Sequence, residues 1–285
     1  MRLKPLIAGA AATAFLGALV FGFSAARTDD TQSAEPADSA SAPESAAPQD
    51  AAAEGVFNQA QEDRIGALVR AYLVANPDVL VEAFQALETR DRERKRAQLT
   101  AGARANFDKL AGGEAGFVTP ARNDADVVVI EFFDYHCIYC KGAADLVRDL
   151  VKDDEDVKIV FQELPIVREE SQLAAAYALA ARAQDKYVDV HFALMEAKGV
   201  LDEPRLRTIV EKQGVDLKAL GKPGEDKRIA SALEASKGVA AEIGLTGTPA
   251  FIVASADGAY LNVIDGFNED SILESVESAR RAAKP

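Results

Sequence analysis

The stretch Val127-Val128-Val129-Ile130-Glu131-Phe132-Phe133-Asp134-Tyr135-His136-Cys137-Ile138-Tyr139-Cys140-Lys141 decides how the rest of the chain is read. Val127 to Phe133 is too short to span a membrane and β-branched enough for a strand buried on both faces. After Cys140 the apolar residues Ala143, Leu146, Val147 and Leu150 recur at spacings of three and four, which predicts a helix. The turn between strand and helix carries Cys137 and Cys140, the only two cysteines of the 285 residues. A cysteine in such a turn meets free backbone N–H groups and the positive end of the helix dipole. Both stabilise a thiolate, the nucleophile of disulfide exchange, and can bring a thiol pKa into the range of roughly 3.5–7.5.

Other readings of the two cysteines compete with a redox pair. A structural disulfide across a two-residue gap would close a very small loop and stabilise little; a strained, exposed bond is the labile kind. Zinc needs about four ligands, and only His136 and His191 remain to join the cysteines. His136 is adjacent to Cys137, which makes joint chelation awkward. Copper(I) on the two soft thiolates is the binding-module alternative. A reduced core pair is disfavoured by the turn location. These points favour the redox pair. Glu131 sharpens it. A carboxylate among Val, Ile and Phe is desolvated, which costs energy unless it is protonated or paired. Beneath a dithiol it could take and return a proton during exchange. The alternative puts Glu131 at a sheet edge, reaching water.

A second anchor lies downstream at Gly244-Leu245-Thr246-Gly247-Thr248-Pro249-Ala250-Phe251-Ile252-Val253. Proline cannot donate to a sheet ladder, so Pro249 belongs at a strand's first residue. A cis Thr248–Pro249 bond would suit a tight turn there.

Together the two anchors resemble the thioredoxin superfamily in its DsbA-like branch of secreted thiol–disulfide oxidoreductases. The residues that carry the likeness are Glu131-Phe132-Phe133, Cys137-Ile138-Tyr139-Cys140, Phe161-Gln162-Glu163-Leu164-Pro165 and Gly247-Thr248-Pro249-Ala250-Phe251, over about residues 117–284. The resemblance implies an α/β thioredoxin-like fold with an inserted helical subdomain. It makes Cys137 the attacking thiol, Cys140 the resolving thiol, Glu131 the buried acid and Pro249 the cis-proline facing the dithiol. Backbone around Thr248 and Pro249 would pair with a substrate strand. Strongly oxidising members carry Pro-His between the cysteines. Ile138-Tyr139 stands there in this chain, so no imidazole inside the turn supports the thiolate. No organic cofactor and no metal are implied.

The start of the chain reads as an export signal over residues 1–26: Arg2 and Lys4, an apolar run from Leu6 to Phe23, then Ser24-Ala25-Ala26. A retained membrane anchor is the alternative. Export, to a periplasmic space, suits a dithiol that must meet disulfides. Residues 27–56, rich in Ala, Ser, Pro and acids, cannot bury enough apolar surface to fold and read as a disordered linker. The net charge of −14 argues against nucleic acid and anionic membrane surfaces as partners.

Residues 57–110 form a helical segment. Ile65, Leu68, Val69, Tyr72 and Leu73 make one apolar face, Asn76 reads as a cap with Pro77 in the next helix's first turn, and Val79, Leu80, Ala83, Phe84 and Leu87 continue the spacing. Two such helices make a poor core alone, so self-association is the expectation, with packing in cis as the alternative. Tyr72-Leu73-Val74-Ala75-Asn76-Pro77 and Val79-Leu80-Val81-Glu82-Ala83 resemble the N-terminal oligomerisation region of the suppressor-of-copper-sensitivity branch. Ala111-Gly112-Gly113 reads as a hinge into a catalytic domain at 111–285 whose helical insertion covers about 165–243. His191, in an amphipathic helix there, reads as a packing or surface residue. Phe251–Val253 and Ala259–Ile264 read as a hairpin through Asp257-Gly258. The reaction expected is oxidoreduction or isomerisation of protein disulfides. The partners expected are proteins bearing thiols or disulfides, a membrane redox partner and further copies of this chain, with no nucleic acid.

Overall fold

The computed structural model describes residues 56–113, 116–120 and 125–283. The expected export signal, and the expected linker up to residue 55, lie outside the described residues. The chain divides into two units, 1–65 and 66–285; the described part of the first is little more than the opening turns of helix α1 (Gln59–Ala75). Among the described residues no helix is long and apolar enough to cross a membrane.

Helices α2 (Asp78–Ala105) and α3 (Phe107–Ala111) follow. The break falls at Asn76-Pro77, but Asn76 does not cap α2. Its side-chain amide donates to the Tyr72 carbonyl at 2.9 Å, as does its backbone N–H, so both donors close the end of α1. The last carbonyls of a helix need partners as much as the first N–H groups do.

The remaining chain alternates. Strand β1 (Phe117–Val118) and strand β2 (Val127–Phe133) precede helix α4 (Ile138–Asp153) and strand β3 (Val157–Glu163). Helices α5 (Glu169–Ala181), α6 (Tyr187–Glu196), α7 (Glu203–Lys212), α8 (Leu217–Leu220) and α9 (Lys227–Ile243) come next. Strands β4 (Ala250–Ser255) and β5 (Leu261–Asp265) and helix α10 (Glu269–Ala283) complete it. Among the described residues the strands form one sheet in the order β1-β3-β2-β4-β5. Strand β2 lies at its centre, parallel to β3 and antiparallel to β4, with Glu131 opposite Phe161 and Phe251. All seven residues of β2 are buried. The continuous apolar run is thus explained by two covered faces, and Glu131 is not at an edge.

Alternation along β2 divides the core in two. Val127, Val129 and Phe133 face the cluster that holds both cysteines and the buried sides of α4, α5, α6, α7 and α10. Val128, Ile130 and Phe132 face a second cluster with Ala240 and Ile243 of α9. Helix α9 ends at Gly244, whose φ of 91° is the left-handed conformation glycine tolerates.

The second cluster also contains Leu99 and Ala103 of α2 and Leu110 of α3. A boundary at residue 111 therefore cuts through the core. Lys95 pairs with Asp265, Arg96 bonds Asn262 at 3.0 Å, and a Cβ on Gly102 would sit 2.7 Å from the Ile243 Cα. Ala111 is tied down as well, its carbonyl accepting from Lys158 at 3.0 Å. Leu99 and Ala103 lie beyond the apolar spacing read from the sequence, which ends at Leu87, and the folded sheet supplies their partner. Earlier in the segment Leu68, Val69, Tyr72, Leu80, Phe84 and Leu87 are exposed.

Candidate active site

Cys137 is the N-cap of α4, in extended conformation (φ −74°, ψ 118°). Its Sγ accepts the Cys140 backbone N–H at 3.3 Å, so a free donor of the helix start points at sulfur rather than water. The same sulfur lies 3.2 Å from the Thr248 carbonyl, to which the thiol donates. That carbonyl precedes the Thr248–Pro249 bond, which is cis, and Pro249 is buried immediately before β4. The sheet therefore joins the two sequence anchors: β2 delivers Cys137, and its neighbour β4 delivers Thr248 and Pro249.

The two cysteines are free thiols of very different character. The hydrogen bond from the Cys140 thiol, with the backbone N–H donors of the helix start, brings Cys137 down to about 6 against the opposition of burial. Cys140 is fully enclosed, and burial first, then its bond to Cys137 and the nearby Glu131, push its thiol far above the usual range. One sulfur is thus a thiolate near neutrality and the other holds its proton. Between them in sequence, Ile138 and Tyr139 are 75% and 68% exposed, and so offer side chains to whatever approaches the dithiol.

Glu131 is 1% exposed, and its Oε2 has no hydrogen-bond partner. Burial, and secondarily the charge of Cys137, raise it to about 8, so it is a neutral acid at pH 7.

Sequence reasoning missed a second buried acid. Glu163, at the end of β3, is also raised to about 8 by burial, although the hydroxyls of Tyr135 (3.0 Å) and Tyr187 (2.9 Å) donate to its Oε1. Tyr135 in turn meets the His191 Nδ1 at 3.2 Å. His191 is therefore a core residue, its basicity lowered to about 3 by burial. The available signal was the one used for Glu131, an acid within an apolar strand; its tyrosine partners come from distant positions and leave no local pattern.

Two more groups brace the dithiol turn. The Lys141 ammonium donates to the carbonyls of Leu194, Met195 and Ala197, closing the end of α6 beside the first turn of α4. Burial lowers it to about 8. His136 turns neither ring nitrogen to the cysteines: Nδ1 meets the Ser171 hydroxyl at 2.9 Å, and Nε2 accepts the Leu201 N–H at 3.1 Å. Those contacts remove it as a ready ligand for a metal shared with Cys137 and Cys140.

Comparison with known proteins agrees with this architecture. A family model described as DSBA-like thioredoxin domain matches residues 128–274, and one described as copper resistance protein ScsC N-terminal domain matches residues 61–94. Among solved structures, a thioredoxin-like oxidoreductase from Silicibacter pomeroyi is 35% identical, with a TM-score of 0.54 over 61% of this chain and 97% of that one. BcfH from Salmonella enterica Typhimurium is 27% identical, with a TM-score of 0.65 over 78% and 96%. ScsC from Proteus mirabilis in a transitional conformation is 26% identical, with a TM-score of 0.55 over 80% and 98%. Among curated proteins, the Na(+)/H(+) antiporter NhaA 3 of Salinispora tropica is 31% identical over 132 residues, which are 46% of this chain. The chain spans about a fifth of the length of the curated relatives it matches.

Proposed function

Because this chain belongs to the family of DSBA-like thioredoxin domains, we propose that it is an exported protein thiol–disulfide oxidoreductase working through Cys137 and Cys140. The observation that carries the reading is the asymmetry of the two sulfurs at the start of α4: one at about 6 and in contact with the Thr248 carbonyl, the other buried and protonated.

The Cys137 thiolate attacks one sulfur of a substrate disulfide. The S–S bond breaks, a mixed disulfide forms, and the departing substrate thiolate takes a proton. Cys140 then gives up its proton, for which the ionised form of Glu131 is the proposed acceptor, a form favoured once the mixed disulfide removes the Cys137 charge, and its thiolate attacks the Cys137 sulfur. The second substrate thiolate leaves, the substrate is reduced by two electrons, and Cys137–Cys140 becomes a disulfide. Run backwards, the same steps oxidise a substrate dithiol. If a substrate thiol attacks the mixed disulfide first, Cys137 is released unchanged and the substrate bond has moved, which is isomerisation. Substrate backbone pairs beside Thr248 and Pro249, and the exposed Ile138 and Tyr139 supply apolar contact. A membrane redox partner resets the dithiol in the oxidising or reducing direction.

The exposed stripe on the N-terminal helices belongs to the same proposal. Leu68, Val69, Tyr72, Leu80, Phe84 and Leu87 remain 42% to 67% exposed, so covering each by further copies of the chain would gain about half of the roughly 1.5–3 kcal/mol that burying a fully exposed apolar side chain supplies. An oligomer holds several dithiols around one bound chain, so a wrong disulfide can be retried before release. Copper(I) on both thiolates is the weaker reading, since a thiolate ligand must be deprotonated and Cys140 strongly resists it.

Cys140→Ser tests the core of the proposal. It should trap mixed disulfides with client proteins, because Cys137 still attacks and nothing resolves the adduct. Equal trapping by Cys137→Ser would reverse or remove the assigned roles. Turnover of scrambled ribonuclease against insulin reduction separates isomerisation from simple exchange.

A further inference from the structure

The turn that presents Cys137 is held by a relay of hydrogen bonds whose proton positions can be counted. The Asp134 carboxylate receives four donors. His136 N–H (2.6 Å) and the Ser171 hydroxyl (2.8 Å) reach Oδ1, and the N–H groups of Ile166 and Val167 (2.8 Å each) reach Oδ2. The Asp134 carbonyl also accepts the Cys137 N–H at 3.1 Å. Since the Ser171 hydrogen points to Asp134, the serine oxygen can only receive from His136 Nδ1. Nδ1 therefore carries a hydrogen. Nε2 faces the Leu201 N–H and must be bare to accept it. The ring thus holds one proton and no charge.

From this bookkeeping we infer that His136 is a positioning residue for the Cys137 nucleophile, acting as the neutral Nδ1–H tautomer that ties the residue before Cys137 to α5 through Ser171 and to the α6–α7 connection through Leu201. It works by geometry, not by placing an imidazolium beside the thiolate. Its reach explains how the helical insertion, remote in sequence, fixes the orientation of the sulfur at the start of α4. Protonation would set a second hydrogen on Nε2 against the Leu201 N–H. Burial is the largest influence and lowers the ring's basicity; of the charged groups around it, Asp134 in its own turn and Glu170 of α5 favour a proton, while Arg168 before α5 and Lys141 of α4 oppose it. The inference deepens the oxidoreductase reading and rests on it for its functional meaning.

Nitrogen-15 spectra of the reduced full chain test the protonation state directly. The sequence has two histidines, and the spectrum of His136→Gln assigns the signals. The expected result is a protonated Nδ1 and a bare Nε2 for His136, unchanged from about pH 6 to about pH 8. An imidazolium, an Nε2–H tautomer or a midpoint near 6.5 would overturn the inference, and this measurement needs no variant to be active.

A graded series then tests positioning. His136→Ala should slow exchange with a peptide disulfide on the order of tenfold, in kcat rather than KM, and raise the Cys137 alkylation midpoint. His136→Asn can keep the bond to Ser171, and His136→Gln the bond from Leu201, so each should recover part of the loss. If Ala, Asn and Gln lose equally, the bonds to Ser171 and Leu201 do not carry the effect; if Ala behaves as wild type, the ring positions nothing. Either result rejects the inference while leaving oxidoreduction standing. A wild-type chain without exchange activity would instead reject the oxidoreductase reading, and the Cys137 midpoint in the same series would then decide the positioning role.

Discussion

Replacing Glu131 by Gln keeps the shape of a buried side chain and removes its proton. In the unfolded chain the carboxyl ionises near its ordinary 4.5; in the fold, burial and then the charge of Cys137 hold it near 8. Between those values the unfolded chain has released a proton that the folded chain keeps. Stability of the wild type therefore falls as pH rises through this window, being fully present below 4.5 and lost by about 8. Each pH unit costs about 1.4 kcal/mol, so the window amounts to about 5 kcal/mol, a third or more of a typical domain's stability. Glu131→Gln should escape that loss. Urea unfolding of both reduced proteins from pH 4 to pH 9 gives the difference directly, because Glu163 and Cys137 titrate in both and largely cancel. The mutant should gain on the wild type by about 5 kcal/mol across the range, and by less in the oxidised pair, where no Cys137 charge contributes. It should also resolve mixed disulfides at least about tenfold more slowly, having no carboxylate to accept the Cys140 proton. Two parallel stability curves would refute the buried-acid argument. A stability gain without slower resolution would leave Glu131 buried but remove its part in proton transfer.

Alkylation of Cys137 followed against pH should show a midpoint near 6, while Cys140 stays unreactive in the folded protein at any accessible pH; a Cys137 midpoint near the free-thiol value would undo the helix-start argument. Leu99→Ala should cost about 2–5 kcal/mol in thermal or urea unfolding, since Leu99 is 3% exposed in the core. Leu80→Ala should leave the monomer within about 0.5 kcal/mol and lower the oligomer mass seen by light scattering; no change in mass would assign the exposed stripe to another partner. A chain shortened to begin at Glu88 should fold as a monomer, keep exchange on a small peptide and lose most reshuffling of scrambled ribonuclease. One beginning at Gly113 should be markedly less stable because it lacks Leu99, Ala103 and Leu110; equal stability of the two would contradict the packing of α2.

Much of this protein is legible before folding. Seven consecutive residues, six of them apolar or aromatic and one an acid, mark β2 as a buried strand, because only a strand covered on both faces tolerates such a run. A change from strand to helical spacing at Cys137 places the sulfur at a helix start, where local backbone alone supplies the donors. Pro249 marks the first residue before a strand because it has no N–H to give. These features depend on neighbours a few residues away, so sequence contains them. Other features depend on neighbours supplied by the fold. Asp134, Ser171 and Leu201 become the frame of His136 only when α5 and the α6–α7 connection close over the turn. Glu163, Tyr135, Tyr187 and His191 meet from three separate stretches. The apolar spacing read from the sequence ends at Leu87, yet it is Leu99 and Ala103 that the sheet's second face claims, while Leu80 and Phe84 on the same helix stay exposed. Periodicity specifies that a side must be buried; the tertiary structure alone decides against what, because burial and polar pairing are settled between residues far apart in the chain.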